Sequence, residues 1–244
     1  DIIFDNISVK ELIRDNVPRI DYTGGGCPHI LAEPMRRNLI TYSEPTSSQG
    51  SDSNISYESF DWGVIGFTEA TVFDGSLNPF SYIGTSTAST VWTLSCFVKM
   101  DDLSEPMVGL GGSNDFRTVI GNTQDGTNVI RKIDFGNNVW KISATNTTSA
   151  ANLNNNGLRV LANSGKSFRA TGFQLEEGSY ATSYIPTSGS TVTRNQDIFT
   201  RDGIGSLINS TEGVLFAEIA TLANDGTNGR ISLSDGSTSN RMLL

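Results

Sequence analysis

The chain has 244 residues, a formal charge of −9 and a pI near 4.6, and no cluster of Lys and Arg offers the footprint that a phosphate backbone requires, which argues against nucleic-acid binding. Charged residues make up 18%, and 25 glycines with many Ser, Thr and Asn separate short apolar runs, the makeup of an all-β protein rich in turns. No apolar run reaches the ~18 residues that would cross a bilayer as a helix, so membrane insertion is not expected.

In chain order, residues 1–13 (DIIFDNISVKELI) are β-rich and end in charge, as a closing strand does. Ile7, Val9 and Glu11 fall on Phe173, Leu175 and Glu177 at an offset of 166, so this stretch reads as the terminal strand of a preceding sandwich module. Residues 14–37 hold Pro18, Pro28, Pro34 and the run Gly24, Gly25, Gly26, which exclude a regular helix or a central strand and predict a linker.

From Asn38 the pattern becomes strand, turn, strand. Strands are predicted over 39–42, 55–60, 63–67, 91–99, 108–110, 118–120, 129–135, 139–144, 158–161 and 168–175, divided by Gly, Asn and Asp turns. The run from Val91 to Lys99 alternates most clearly. It puts Trp92, Leu94, Cys96 and Val98 on one face and Ser95 and Lys99 on the other, as in a half-buried antiparallel strand. Cys96 is expected to act as a buried small hydrophobe, and Cys27 lies in the linker, so neither a disulfide framework nor a metal-ligand spacing is present.

Phe173 and Leu175 share a face, Glu176 and Glu177 follow as an acidic pair at a turn of Gly178 and Ser179, and Tyr184, Ile185 and Pro186 lead the chain out. The small polar run 187–191 predicts a module boundary and a second linker over 187–210. Beyond it, strands are predicted over 213–220 and 230–233 around an Asn224-Asp225-Gly226 turn. The abrupt apolar start at Asp1 and the stop at Leu244 read as those of a segment of a longer polypeptide.

Three phrases carry a resemblance: GFQLEEGSYATSYIPTSG (172–189), PRIDYTGGGCPHILAEPMRRNLITYSE (18–44) and FDNISVKE (4–11). They resemble jelly-roll, carbohydrate-binding-module-like cassettes in fibre and minor tail proteins of tailed bacteriophages. Residues 211–244 resemble the opening of a concanavalin A-like, laminin-G-like sandwich. The resemblance implies jelly-roll β-sandwich modules joined by Pro/Gly-rich linkers, with the jelly roll over 38–186. It also implies a structural and adhesive virion component (tail fibre, spike or capsid-attached fibre) on the virion surface. Self-association as a homotrimer, other virion proteins and host-surface glycans are the partners it implies. The alternative is a carbohydrate-binding module of a secreted polysaccharide-acting protein.

No catalytic phrase is visible, and the chain is not expected to be an enzyme. Glu176 and Glu177 are strand neighbours that point to opposite faces, so they cannot flank one glycosidic bond and read as a solvated turn. His29, the one histidine, has no Ser or Cys nucleophile phrase near it and no second His for a metal. Sugar rings lie on exposed aromatic faces, and Tyr57, Trp62, Phe80 and Tyr82, all in loop-rich sequence, are the carbohydrate-contact candidates, while Trp92 and Trp140 are read as packing residues. No cofactor is expected beyond a structural calcium, for which Asp101, Asp102, Asp115 and Asp125 are the hard oxygen donors, although no EF-hand spacing exists.

Overall fold

A computed structural model describes residues 18–22, 27–46, 55–76, 90–109, 114–120, 129–147, 156–161, 165–199, 203, 205–207, 209, 211–214, 216–220, 232–234, 239 and 241–243. The chain is nearly all β, in several sheets, as an all-β sandwich requires. The strands are β1 (Arg19–Asp21), β2 (His29–Leu31), β3 (Arg36–Asn38), β4 (Ile55–Ser59), β5 (Glu69–Phe73), β6 (Val91–Met100) and β7 (Phe116–Val119). They continue as β8 (Val129–Asp134), β9 (Trp140–Thr147), β10 (Gly157–Val160), β11 (Phe168–Glu177), β12 (Val192–Arg194), β13 (Ser232–Ser234) and β14 (Arg241–Leu243). Two compact units result, one of residues 1–35 with 195–217 and one of 36–194 with 218–244.

In the larger unit an antiparallel sheet runs β4-β5-β11-β6-β9-β8, and β7 pairs with β10 in a second, smaller sheet. The ten-residue strands β6 and β11 lie at its centre, each alternating large apolar residues toward one side. Trp92, Leu94, Cys96, Val98 and Met100 of β6, with Phe168, Ala170, Phe173 and Leu175 of β11, meet Phe116, Leu158 and Val160 from the smaller sheet in one core. Phe168 is stacked between Phe73 and Phe116, with ring centroids 4.5 Å away on each side. Burial, only partly opposed by the Lys141 charge, pushes the Cys96 thiol up to about 12, so it packs as a hydrophobe, as expected.

The other face of β6 differs from expectation. Thr93, Ser95 and Phe97 are buried too, so this strand is covered on both sides. Over Phe97 the cover comes from the loop 60–67, whose Trp62 and Phe67 enclose it with Phe135 and Val139, while the Thr93 hydroxyl lies under the Gly178 carbonyl at 2.7 Å. This loop replaces the strand predicted over 63–67. Asp61 Oδ1 accepts the Gly63 amide at 2.9 Å and Phe60 N donates to Thr68 O at 2.9 Å, which closes the loop, while Gly63 at φ 75° turns it. The strand lies further on, at Glu69–Phe73, a run that includes β-branched Thr71 and Val72.

Gly172 marks a register shift within β11, between Thr171 and Gln174. Its φ of 61° and the room available both require glycine there: a Cβ would come within 2.8 Å of Phe67 and 2.9 Å of Phe97. The extra residue keeps Phe168 and Ala170, before the bulge, on the same face as Phe173 and Leu175, after it.

Two boundaries also move. Val192–Arg194 pairs antiparallel with Arg36–Asn38 and Tyr42 bridges Ser188, so the stretch from Thr187 to Arg194 is held in the sheet system where a linker was expected. The described residues of 213–220 lie in no strand, and β13 pairs instead with β14. Val214 and Phe216 are almost fully exposed. Residues 1–13, 82, 110 and 125 are outside the described residues, and so are the turns at 125–126 and 225–226.

Candidate functional site

Two of the resembling phrases come together in space. Asn38, fully buried, donates through Nδ2 to Phe173 O (3.2 Å) and Ile185 O (2.9 Å), and its Oδ1 accepts from Ile40 N and Leu175 N, both at 3.1 Å. Every hydrogen-bonding position of that amide plane faces a backbone group of the opposite phrase or its own strand exit. Gln174 makes a similar clamp: it accepts from Ile185 N at 2.6 Å and donates to Ser183 O at 3.3 Å. Thr187 donates through Oγ1 to Ile40 O at 2.7 Å and through its amide to Ser43 Oγ at 2.9 Å. These residues form a seam that closes the module.

Glu176 belongs to that seam, which corrects its reading as part of a solvated turn. β11 continues through Glu177, and the carboxylate of Glu176, fully buried, accepts hydrogen bonds from the Thr182 amide (3.0 Å) and the Thr182 hydroxyl. Glu177 is exposed, so the two carboxylates do point to opposite faces. Gly178, at φ 137°, makes the turn; its amide donates to Val91 O at 2.8 Å, and a Cβ there would strike the Arg36 guanidinium, which lies over the Tyr180 ring.

Beside the seam is a polar cluster that the sequence alone did not single out. The Tyr184 hydroxyl meets Ser43 Oγ and donates to Glu44 Oε1 at 3.2 Å, while its ring stands edge-on to Phe67. Burial raises the Tyr184 hydroxyl above its ordinary range. Burial also raises the Glu44 carboxyl, helped by the nearby Glu69 charge and opposed by the Tyr184 hydrogen bond.

Among the four aromatic candidates, Trp62 has no exposed surface: its indole N–H donates to Glu69 O at 3.2 Å and Phe60 stands edge-on against it. An indole so enclosed has no face to offer a pyranose, and it serves as packing. Tyr57 is half-buried on β4 and packs against the main core. Phe80 and Tyr82 are outside the described residues. Trp92 is buried and Trp140 packs against the core, as read from the sequence.

The acidic residues considered for calcium face cations of the protein itself. Asp101 pairs with Arg169 and accepts from the Ser167 hydroxyl at 2.6 Å. Asp102, held down to about 2 by the Ser104 hydroxyl and amide and by Lys166, pairs with that lysine at 3.0 Å. Asp115 accepts the Met107 amide at 2.9 Å and lies 3.8 Å from Lys166. Among the described residues no three His, Cys, Asp or Glu side chains gather in a way that could hold a metal ion.

The smaller unit has a different surface. β1 and β2 pair with Ile20 opposite Ile30, and both are exposed, as are Tyr22, Met35, Ile198, Leu207, Val214 and Phe216. Glu33 is the sole buried side chain among its described residues. Arg19 fastens the unit internally: its guanidinium spans Asp197 and Glu33, hydrogen bonding to Asp197 raises its pKa further, and the Glu33 amide donates to Asp197 Oδ2 at 2.7 Å. His29, the candidate weighed for catalysis, is exposed and 3.5 Å from Asp21.

No family model matches the chain, and no curated protein is significantly similar to it.

Proposed function

We propose that the chain is a structural and adhesive component of a virion surface fibre, a sandwich module carried on connecting segments that assemble with further copies, as a homotrimer. The observation that supports this reading is the smaller unit. It buries no apolar side chain among its described residues, while exposing Ile20, Tyr22, Ile30 and Met35. A two-stranded hairpin is marginal in water by itself, and apolar surface of this kind is ordinarily covered by another chain. The polar residues that the resembling phrases contribute, Asn38, Gln174, Glu176 and Thr187, are all engaged in closing the module, which fits a scaffold better than a reaction centre.

Light scattering on the intact chain tests the reading. A trimer is the expected result; a monomer at high micromolar concentration overturns it. Contact with host-surface glycan is a separate arm of the proposal, for which Tyr57, Phe80 and Tyr82 remain the candidates. Titration with host polysaccharide reads it, and the absence of binding removes the adhesive role while leaving the structural one.

A further inference from the structure

We infer that β8 is a docking edge for β8 of a second copy of this chain, in one antiparallel register centred on Ile133. The inference goes beyond the fibre reading, which names no strand. β8 is the outer strand of the six-stranded sheet, and Arg131, Lys132, Ile133 and Asp134 are all exposed, Ile133 to 46%. Among the described residues no strand pairs with the outer side of β8, and such an edge offers a row of backbone groups to a partner strand.

The phase of that row follows from the hairpin. Phe135 N donates to Val139 O at 2.9 Å and Asp134 stands opposite Trp140, so Asp134, Lys132 and Ile130 occupy the non-hydrogen-bonded positions of the β8–β9 ladder. Their own N–H and C=O groups therefore point away from β9, toward the open side. A second β8 running antiparallel must place these outward residues against one another. Setting Lys132 against Lys132 of the copy, or Asp134 against Asp134, opposes like charges, and setting Ile130 against Lys132 brings the two Arg131 side chains face to face. Setting Lys132 against Asp134 instead forms the ion pair twice, by symmetry, and puts Ile133 opposite Ile133 on the two-fold axis. Of the registers that set Lys132 or Asp134 against one of these outward residues, only this one pairs opposite charges.

The side chains are positioned for it. Lys132 is held at the edge by Glu105 and by the Pro106 carbonyl at 3.3 Å, over the Trp140 ring, and its three-donor ammonium keeps capacity for another carboxylate. Arg131 of one copy falls opposite Phe135 of the other. The Ile133 pair, being non-hydrogen-bonded, brings its Cα atoms to about 4.5 Å, within disulfide range.

Cysteine cross-linking of the full chain, with exposed Cys27 replaced by Ser and buried Cys96 retained, tests the register. Ile133→Cys is expected to give a disulfide-linked dimer on mild oxidation, at least about ten-fold faster than Arg131→Cys, which this register does not place opposite its own copy. Equal rates, or no cross-linked dimer at high micromolar concentration, overturn the inference. Because Ile133 is exposed, Ile133→Lys is expected to keep the melting temperature and to remove the pairing step from the mass profile seen by sedimentation, leaving any assembly through the smaller unit; an unchanged mass profile also overturns it. A trimer that persists in Ile133→Lys, without cross-linking in Ile133→Cys, refutes this contact and leaves the fibre reading standing. Cross-linking in a chain that forms no trimer does the reverse.

Discussion

The two units of this chain use the same kind of strand to opposite ends. In the larger one, alternating apolar residues meet a second layer and disappear from solvent, with Phe73, Phe116, Phe168 and Phe173 all buried. In the smaller one, Ile20 and Ile30 sit opposite each other across a hairpin and stay exposed, and the order comes from the ion cluster of Arg19, Glu33 and Asp197. Alternation alone therefore does not make a core; a second surface must be within reach. Where it is absent, charged hydrogen bonds can fix a backbone without hiding its apolar side chains.

The comparison is broken most forcefully in the large core. Phe168→Ala removes the ring stacked between Phe73 and Phe116, and it is expected to lower the unfolding free energy by about 4 kcal/mol, read by denaturant titration. Asn38→Ala leaves the phrases of the seam without their shared amide, orphaning two buried carbonyls and two buried amides; a loss of about 3 kcal/mol is expected by the same method.

Glu44 gives a smaller effect with a defined sign. Its folded-state carboxyl is raised, chiefly by burial, so the folded chain holds that proton more tightly than the unfolded chain. Its contribution to stability is thus greatest at acid pH and falls as pH rises from the unfolded value through the folded one. Glu44→Gln keeps an oxygen to accept from Tyr184 and is expected to raise the melting temperature slightly at pH 7, with no difference at pH 3. A lower melting temperature at pH 7 would contradict this. Smallest is Ile20→Ser: exposed and outside any core, it is expected to change the unfolding free energy by no more than about 0.5 kcal/mol while weakening assembly in light scattering. A large loss of stability in the unassembled chain would show that the hairpin has a core after all.

Much of the sandwich was legible in the sequence because β6 alternates over a long run and β11 alternates on either side of its bulge. The β8–β9 hairpin was legible too, with its Asn137 and Asn138 at positive φ. What escaped the pattern was the covering of the sheet's second face. Trp62 lies in a Gly-containing loop and reads as accessible, but the loop folds over Phe97 and encloses it. Glu176 follows an apolar run and precedes a glycine, which reads as solvent; its partner, Thr182, is six residues away around a turn whose path no periodicity encodes. The glycine at 172, inside an otherwise continuous strand, was the one local sign of the bulge. The polar cluster of Ser43, Glu44 and Tyr184 joins residues 140 or more positions apart, and only the seam brings them together.

The antiparallel pairing of β3 with β12 also sets how the module bears load. The chain enters at Arg36 and leaves opposite it at Arg194, roughly 5 Å away. Tension drawn along the flanking segments would pull these neighbours apart across their ladder, opening its bonds one pair after another from the end, as a zipper opens. The aromatic core lies off the line of force. The first resistance met beyond the ladder would be the seam that Asn38 shares with Gln174 and Thr187, so the module resists pulling through polar side chains near its mouth before its aromatic core bears any load.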